Sequence, residues 1–307
     1  MARRISFEEF DRALVTGDIP FDKLADYLCL DEDACVPRLI FRPGVLTNGA
    51  PASYDVDERI YQYVRSRRDR ERVRRETYAY LSSKSVVAEG DSWFDLPGFL
   101  GRRAIADWIE EHRRFRMNNI ARWGHTLEQI VDKREYVNVL AEERPDYFMF
   151  GAGGNDLQEA LEDGGLIHHF DPARPADAYI TSDGHALLGR IEGLLRGVFA
   201  EVSTLRPTMP ILCHAYDYPR PNVGRGRYIG KHLERRGIRD ALAQAVVMSL
   251  IDELNRRVAQ VASEFPTVRY LNCRRQTDLY TWRDDMHPSD DGFEALAKLF
   301  EDSMATP

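Results

Sequence analysis

The first part of the chain places its hydrophobic residues at the spacing of amphipathic helices. Phe7, Phe10 and Leu14 recur on one helical face after Ser6, which can form a capping box with Glu9. A glycine and a proline follow shortly afterwards and would end this helix. The pattern therefore predicts a short amphipathic helix near the start of the chain.

A second short helix, a loop and a long helix are predicted next. The second helix covers 21–28, and clusters of proline and glycine make 33–53 a loop with at most one short extended piece. From Asp55 to about Leu81, apolar residues lie among charges without glycine or proline, as in a long amphipathic helix. Residues 1–84 are therefore predicted to form a mainly helical N-terminal region.

From residue 85 onward, short apolar runs alternate with longer amphipathic stretches. The runs predict buried strands and the stretches predict helices. The predicted strands cover 85–88, 147–150, 210–214 and 268–271, and the predicted helices cover 103–115, 119–133, 185–204, 240–264 and 290–303. This alternation indicates an α/β domain over 85–307, with a parallel sheet between two layers of helices. Ligands of such sheets bind at the C-terminal ends of the strands.

Composition and charge narrow the class of protein. The 307 residues are 43% hydrophobic and 30% charged, as in ordinary folded globular chains. The net charge of -8 argues against nucleic acid as a partner. Because the chain has no run of about 18 apolar residues and no apolar secretory segment at its start, we expect no integral membrane segment. The four cysteines form no CxxC pair and are expected to be buried thiols of a cytoplasmic protein.

Charge is unevenly distributed within the N-terminal region. Residues 1–58 carry 6 basic and 12 acidic side chains, whereas 59–75 carry 8 arginines against Asp69 and Glu71. Such a basic helix usually faces solvent or a partner. We expect it either to pair between protomers of a homo-oligomer or to dock on the acidic remainder of the same chain.

Four short polar motifs follow predicted strands or begin helices, where an α/β active site would lie. They contain Ser92, Gly124, Asn155, Asp284 and His287. A serine hydroxyl needs a base to become a nucleophile, and the base needs a carboxylate that orients it. The oxyanion of the intermediate needs N–H donors. These five residues can supply each of those groups.

In their order along the chain, these motifs resemble those of the SGNH, or GDSL-type, hydrolases, a family of esterases, lipases and related acyl hydrolases. The matching segments are Gly90-Asp91-Ser92, Gly124, Gly153-Gly154-Asn155-Asp156 and Asp284-Asp285-Met286-His287. The resemblance covers roughly 85–303 and implies a flavodoxin-like three-layer α/β/α sandwich. It implies Ser92 as the nucleophile, His287 as the base and Asp284 as the orienting carboxylate. It also implies an oxyanion hole formed by the N–H groups of Ser92 and Gly124 and the amide of Asn155, and no metal or organic cofactor.

Some positions depart from that family pattern or add to it. Trp93 stands where the family has leucine, so a large ring lies next to the nucleophile and is a candidate wall of the acyl pocket. Asp285 adjoins Asp284, and we expect it to make local hydrogen bonds or to face solvent. Asp91 and Asp156 are interpreted as structural carboxylates of turns.

Candidate substrate-binding residues follow the predicted strand 210–214. Tyr216 and Asp217, together with His214 and Tyr218, could line the cleft. The basic, glycine-rich segment 220–231 has the composition of a mobile lid. We hypothesise that its Arg225 and Arg227 bind an anionic part of a small, possibly lipid-like ester substrate. Four arginines elsewhere could assist them, namely Arg102, Arg103, Arg113 and Arg114.

The leading hypothesis is a cofactor-independent serine hydrolase that cleaves carboxylic esters through an acyl-enzyme, and two alternatives compete with it. One is a metal-dependent phosphoesterase that uses Asp91, Asn155, Asp156 and His287. The other is a scaffold or oligomerisation protein whose hydrolase activity is secondary, with 1–84 mediating assembly. The adjacent histidines 168 and 169 lack a second ligand pair and are read as part of a loop rather than a metal site.

Overall fold

The computed structural model describes residues 4–76, 84–222 and 227–305, without the side chains of 73–76. The N-terminal region contains two helices and a small antiparallel sheet, with a short 3₁₀ helix (Phe21–Asp26) between the first helix and the first strand. Its elements are α1 (Phe7–Thr16), β1 (Leu28–Leu30), β2 (Leu39–Phe41) and α2 (Val56–Glu76). A capping box of Ser6 and Glu9 begins α1, as the sequence predicts.

The remainder of the chain, here called the sheet domain, is built on five parallel strands. The strands are β3 (Ser85–Gly90), β4 (Arg116–Asn119), β5 (Tyr147–Gly151), β6 (Ile211–His214) and β7 (Val268–Leu271). Their order across the sheet is β4-β3-β5-β6-β7. The chain therefore reverses its direction of winding at β3, and that point is where open α/β sheets bind ligands.

Helices cover both faces of this sheet. They are α3 (Ile105–His112), α4 (Leu127–Lys133), α5 (Glu135–Glu143), α6 (Gly154–Asp163), α7 (Ser182–Leu205), α8 (Gly230–Arg235), α9 (Asp240–Ser263) and α10 (Asp290–Ala305). α3 packs against α10, whereas α7 packs against α4, α5, α6 and α9. The two groups lie on opposite faces, as right-handed crossovers in this strand order require. The fold is the predicted flavodoxin-like three-layer α/β/α sandwich.

All four predicted strands are present, and the differences from prediction are local. The stretch 119–133 is helical from Leu127 onward, because Arg116–Asn119 forms the edge strand β4, whose polar sequence gives no apolar run. The stretch 21–28 divides into a 3₁₀ helix and the start of β1. In the described part, the long helix predicted from Asp55 runs over Val56–Glu76. The segment 77–83 lies outside the described residues.

The basic helix α2 docks on the sheet domain of its own chain. Nη2 of Arg68 lies 2.6 Å from Oδ1 of Asp95, whose side chain is fully buried. Nη1 of Arg72 lies 3.0 Å from Oε1 of Glu143. The second of the two docking arrangements expected from the charge pattern is therefore the one observed. The predicted homo-oligomer stays a prediction.

The described residues form two hydrophobic cores. The larger core fills the space between the sheet and its helices. The smaller core lies in the N-terminal region but includes Phe99 and Trp123 of the sheet domain. Among the four free thiols, Cys213 and Cys273 are buried as predicted, whereas Cys29 and Cys35 are half-buried. None of the helices within the described ranges is both long and apolar enough to cross a membrane.

Candidate active site

Ser92 lies in the turn directly after β3, at the point where the sheet changes direction. The strand ends approach each other so closely that a Cβ atom on Gly90 would lie 2.2 Å from the carbonyl oxygen of Gly151. Only glycine fits this approach. The turn that follows is fixed by Asp91, whose Oδ1 accepts a hydrogen bond of 3.0 Å from the N–H of Trp93. Ser92 itself is buried, with 1% of its surface exposed.

His287 and Asp284 lie on the loop between β7 and α10, and they reach Ser92 from there. Nε2 of His287 lies 2.8 Å from Oγ of Ser92, and Nδ1 lies 2.8 Å from Oδ1 of Asp284. Because a carboxylate only accepts hydrogen bonds, Nδ1 carries the proton and Nε2 is free to accept the serine proton. The three side chains thus form a continuous hydrogen-bonded chain.

The environment of Asp284 favours its ionised form. Burial by itself would raise the pKa of this carboxyl, but the charge and hydrogen bond of His287, the N–H of Met286 and the charge of Arg102 together lower the pKa to about 2. Nη1 of Arg102 is 3.6 Å from Oδ2 of Asp284. Asp284 therefore carries a fixed negative charge that stabilises a protonated imidazole.

The three N–H groups predicted for the oxyanion hole differ in their hydrogen bonds. Among the described residues, the backbone N–H groups of Ser92 and Gly124 have no hydrogen-bond acceptor. The amide of Asn155 at the start of α6 donates a hydrogen bond of 2.7 Å from Nδ2 to the carbonyl oxygen of His125. A carbonyl requires a donor, so this contact fixes the orientation of the amide. Nδ2 retains a second N–H, and the buried Oδ1 has no partner among the described residues.

Gly124 occupies a turn that no other residue would tolerate well. Its φ is +75°, a left-handed conformation that favours glycine, and a Cβ atom here would lie 2.6 Å from the carbonyl oxygen of Pro37. The loop between β1 and β2 of the N-terminal region therefore packs directly on this turn. The sequence gives no indication of that contact, because Pro37 lies in a segment predicted only as loop.

Asp91, Tyr216 and Trp93 contact one another next to Ser92. The hydroxyl of Tyr216 donates a hydrogen bond to Oδ2 of Asp91. Burial raises the pKa of Asp91 to about 6, although this bond and the N–H of Trp93 favour the charged form. The ring of Trp93 packs edge-on against Tyr216 and stacks on His214, with ring centroids 5.1 and 5.5 Å apart. Asp91 thus has the structural role expected for it.

Asp285 holds the segment that covers His287. Its carboxylate is fully buried and accepts hydrogen bonds from the N–H groups of Tyr228, Ile229 and Gly230 at 2.6 to 3.1 Å. The ring of Tyr228 then stands edge-on to His287 with the centroids 5.7 Å apart. The expectation that Asp285 makes local hydrogen bonds or faces solvent is therefore wrong, because its side chain is buried and its partners lie more than fifty residues away. Residues 228–230 of the predicted lid are therefore anchored rather than free.

An apolar cavity of about 60 Å³ opens beside Ser92. Ser92, Asn155 and Tyr216 form its polar end. The remaining walls come mainly from α6, α8 and α9 and from the loops near them, and they include Leu157, Leu161, Leu166, Ile167, Ile229, Leu233, Val246, Val247, Leu250, Ile251 and Met286. Trp93 also lines the cavity, as expected from its position next to the serine.

Other candidate substrate-binding residues lie elsewhere. Both carboxylate oxygens of Asp217 accept hydrogen bonds from the loop at Arg275 and Thr277, so this residue organises a loop instead of facing the cavity. Nη2 of Arg227 donates to the carbonyl oxygens of Leu30 and Asp31 in the N-terminal region. The predicted partner Arg225 lies outside the described residues.

The remaining polar candidates are also accounted for. Of the four assisting arginines, Arg102 lies beside Asp284, Arg103 pairs with Glu111 on the surface, and Arg114 pairs with the buried carboxylate of Glu301. Arg113 ends α3 with a left-handed backbone. His214 is buried, and Tyr218 donates to Asp252 away from the cavity. Histidines 168 and 169 lie exposed in the loop after α6, as the sequence predicts.

The residues proposed for the alternative metal site make hydrogen bonds to different partners. Asp156 accepts a hydrogen bond of 2.7 Å from the N–H of Leu127 and so joins α6 to the start of α4. Asp91 is bonded to Tyr216, and His287 to Ser92 and Asp284. Within 4–76, 84–222 and 227–305, no three side chains of the metal-binding types are grouped as ligands.

Comparison with known proteins finds similarity at the level of structure. No family model and no curated protein sequence matches the chain. A protein of Parabacteroides merdae described as a GDSL-like lipase is 14% identical over 73% of this chain and 96% of its own, with a TM-score of 0.48. An acetyl xylan esterase of Geobacillus stearothermophilus is 17% identical over 73% and 95%, with a TM-score of 0.46. These structures carry names of the group that the four motifs resemble.

Proposed function

We propose that this protein is a serine hydrolase that cleaves carboxylic esters through an acyl-enzyme. The observation that carries the proposal is the hydrogen-bonded chain from Ser92 through His287 to Asp284, closed at both contacts at 2.8 Å. The same arrangement of nucleophile, base and orienting carboxylate serves acyl transfer on several unrelated folds. In this chain, Ser92, His287 and Asp284 would supply the nucleophile, the base and the orienting carboxylate.

The reaction follows from the positions of the protons. Oγ of Ser92 forms a bond to the ester carbonyl carbon while Nε2 of His287 takes its proton, and the carbonyl electrons move onto the oxygen. The N–H groups of Ser92 and Gly124 and the amide of Asn155 are the proposed donors to that oxyanion. When the oxyanion collapses, His287 protonates the departing alcohol. Water, activated by the same imidazole, then releases the acid and restores Ser92.

The cavity beside Ser92 supports an acyl group that is apolar and short. An apolar cavity of about 150 Å³ is large enough for a benzene ring. A cavity of about 60 Å³ therefore accommodates a chain of only a few carbons. We infer that the preferred acyl groups are of propionyl to butyryl size, and that long fatty acyl esters are poor substrates.

The test is release of nitrophenol from a p-nitrophenyl butyrate substrate. We expect the wild type to be active and to be labelled by a fluorophosphonate probe, and Ser92→Ala to lose both properties while its melting temperature stays close to that of the wild type. Ser203→Ala is the matched control, because this serine lies on α7 with its hydroxyl 3.4 Å from Oγ1 of Thr267 and is not among the described residues that line the cavity. Activity that persists in Ser92→Ala, or that depends on a removable metal ion, would contradict the proposal.

A further inference from the structure

One buried carboxylate of the N-terminal region joins the two chain segments that meet at Gly124. Asp57 lies in the first turn of α2 and is 8% exposed. Its Oδ1 accepts a hydrogen bond of 2.9 Å from the N–H of Leu39 and another of 2.8 Å from Nε1 of Trp123. Oδ2 lies 3.5 Å from Nη2 of Arg122. A buried carboxylate with this many partners fixes their relative positions.

The partners of Asp57 are the neighbours of Gly124 in sequence and in space. Trp123 directly precedes Gly124, and Leu39 stands two residues after Pro37, whose carbonyl oxygen packs on Gly124. Asp57 therefore holds both sides of the contact at which the Gly124 turn meets the N-terminal region.

Packing reinforces these hydrogen bonds. Trp123 is 1% exposed and belongs to the hydrophobic core of the N-terminal region. Tyr61, one turn after Asp57 on α2, contacts the ring of Trp123 edge-on and donates a hydrogen bond of 3.0 Å to the carbonyl oxygen of Ile120. Helix α2 thus contacts the loop at Ile120, Arg122 and Trp123, which leaves this loop little freedom to shift.

We propose that Asp57 is a positioning residue of the active site, which fixes the Gly124 turn so that its N–H points at the substrate oxyanion. This inference rests on the proposed serine hydrolase function. An oxyanion donor must lie about 2.7 to 3.1 Å from the oxygen it stabilises, and a misplacement of about 1 Å can cost on the order of 100-fold in rate. The N-terminal region is therefore part of the catalytic apparatus, although it contributes none of the reacting atoms.

Three variants of the full-length chain separate positioning from general stability. Asp57→Leu removes both acceptors, Asp57→Asn keeps an oxygen for Leu39 and Trp123, and Trp123→Phe keeps a smaller aromatic ring but removes the N–H. Activity is measured per active site, with the number of sites titrated by a fluorophosphonate. Arg72→Ala is the matched control, because it breaks an ion pair of the same helix with Glu143, away from the Gly124 turn.

We expect Asp57→Leu to lower kcat per titrated site by roughly 30- to 100-fold and Trp123→Phe by about 10-fold, with KM changed by less than about threefold. Asp57→Asn should recover most of the activity, and Arg72→Ala should retain wild-type kcat. If Asp57→Leu does not fold, Trp123→Phe decides the question alone.

Unchanged kcat per titrated site in Trp123→Phe and Asp57→Leu would overturn the proposal, even if both variants melt at lower temperature. An equal loss in Arg72→Ala would also overturn it, since the effect would then belong to the whole interface. A wild-type protein that neither hydrolyses the ester nor reacts with the probe would refute the serine hydrolase function itself, which is a different result.

Discussion

The two sides of Ser92 are built from different kinds of residue. On one side lies the apolar cavity, whose walls are mainly aliphatic side chains of α6, α8, α9 and nearby loops. On the other lies a polar cluster, which we define as Arg102, Tyr228 and the loop residues Asp284, Asp285 and His287. None of the cluster's five residues is among the described residues that line the cavity.

The difference assigns separate tasks to the two sides. Under the proposed function, the aliphatic walls would select substrates by size and exclude water, whereas the polar cluster would hold charges and move protons. Within the cluster the two adjacent carboxylates also divide the work. Asp284 orients His287, and Asp285 anchors the backbone that carries Tyr228 across the imidazole. A substrate would then be selected mainly by its acyl group and activated mainly from the polar cluster.

The largest effect should come from the polar cluster. Replacing Asp284→Ala removes the acceptor of the Nδ1 proton and the charge that stabilises the imidazolium, so kcat should fall on the order of 10⁴-fold. The measurement is the steady-state rate on p-nitrophenyl butyrate, together with circular dichroism to confirm the fold.

The control is Asp278→Ala. Asp278 lies earlier on the same loop as Asp284, and its replacement breaks an ion pair of 2.7 Å with Arg220. It should leave kcat within about twofold of the wild type. A decrease in kcat of less than about 10-fold in Asp284→Ala would contradict the catalytic role proposed for the polar cluster.

The contact between Asp284 and His287 was predictable from sequence, whereas the hydrogen bonds of Asp285 and Asp57 were not. Asp284 and His287 stand three residues apart on one loop, so their contact is local and the motif carries it. The partners of Asp285 lie more than fifty residues away, and those of Asp57 lie 18 and 66 residues away; they are backbone N–H groups or an indole that no motif distinguishes. The edge strand β4 was missed for a related reason, since its polar residues hide the strand pattern.

The apolar cavity should respond to changes in volume with a moderate shift in preference. Leu250→Ala enlarges the cavity, so the ratio of kcat/KM for octanoyl over butyryl esters should rise about 10-fold. Val247→Phe fills it and should shift the preference toward acetyl esters by a similar factor. The measurement is a series of p-nitrophenyl esters of increasing acyl length. Leu299→Ala, a partly buried leucine of α10 away from the cavity, is the control and should leave the series unchanged.

The smallest effect should be a difference in pH dependence between Asp91, which lines the cavity, and Asp284 in the polar cluster. Burial raises the pKa of Asp91 from 3.8 to about 6. Its raised pKa stabilises the folded state below pH 3.8, and this contribution is lost as the pH rises through 6. For Asp284 the sign is opposite, because His287, Arg102 and backbone N–H groups outweigh burial and lower its pKa to about 2. Its contribution is complete above pH 3.8 and is lost as the pH falls through 2.

Of these two carboxylates, only Asp91 changes its charge between pH 5 and pH 7 in the folded protein. Over this window it should cost the wild type about 1 kcal/mol of unfolding free energy. Asp91→Asn imitates the neutral carboxyl, so its unfolding free energy should lack this decline, whereas Asp284→Asn should keep it. Urea unfolding at pH 5, 6 and 7 measures the three slopes. If the three slopes were parallel, Asp91 would keep the same charge across this window, and the effect of burial on its pKa would be refuted.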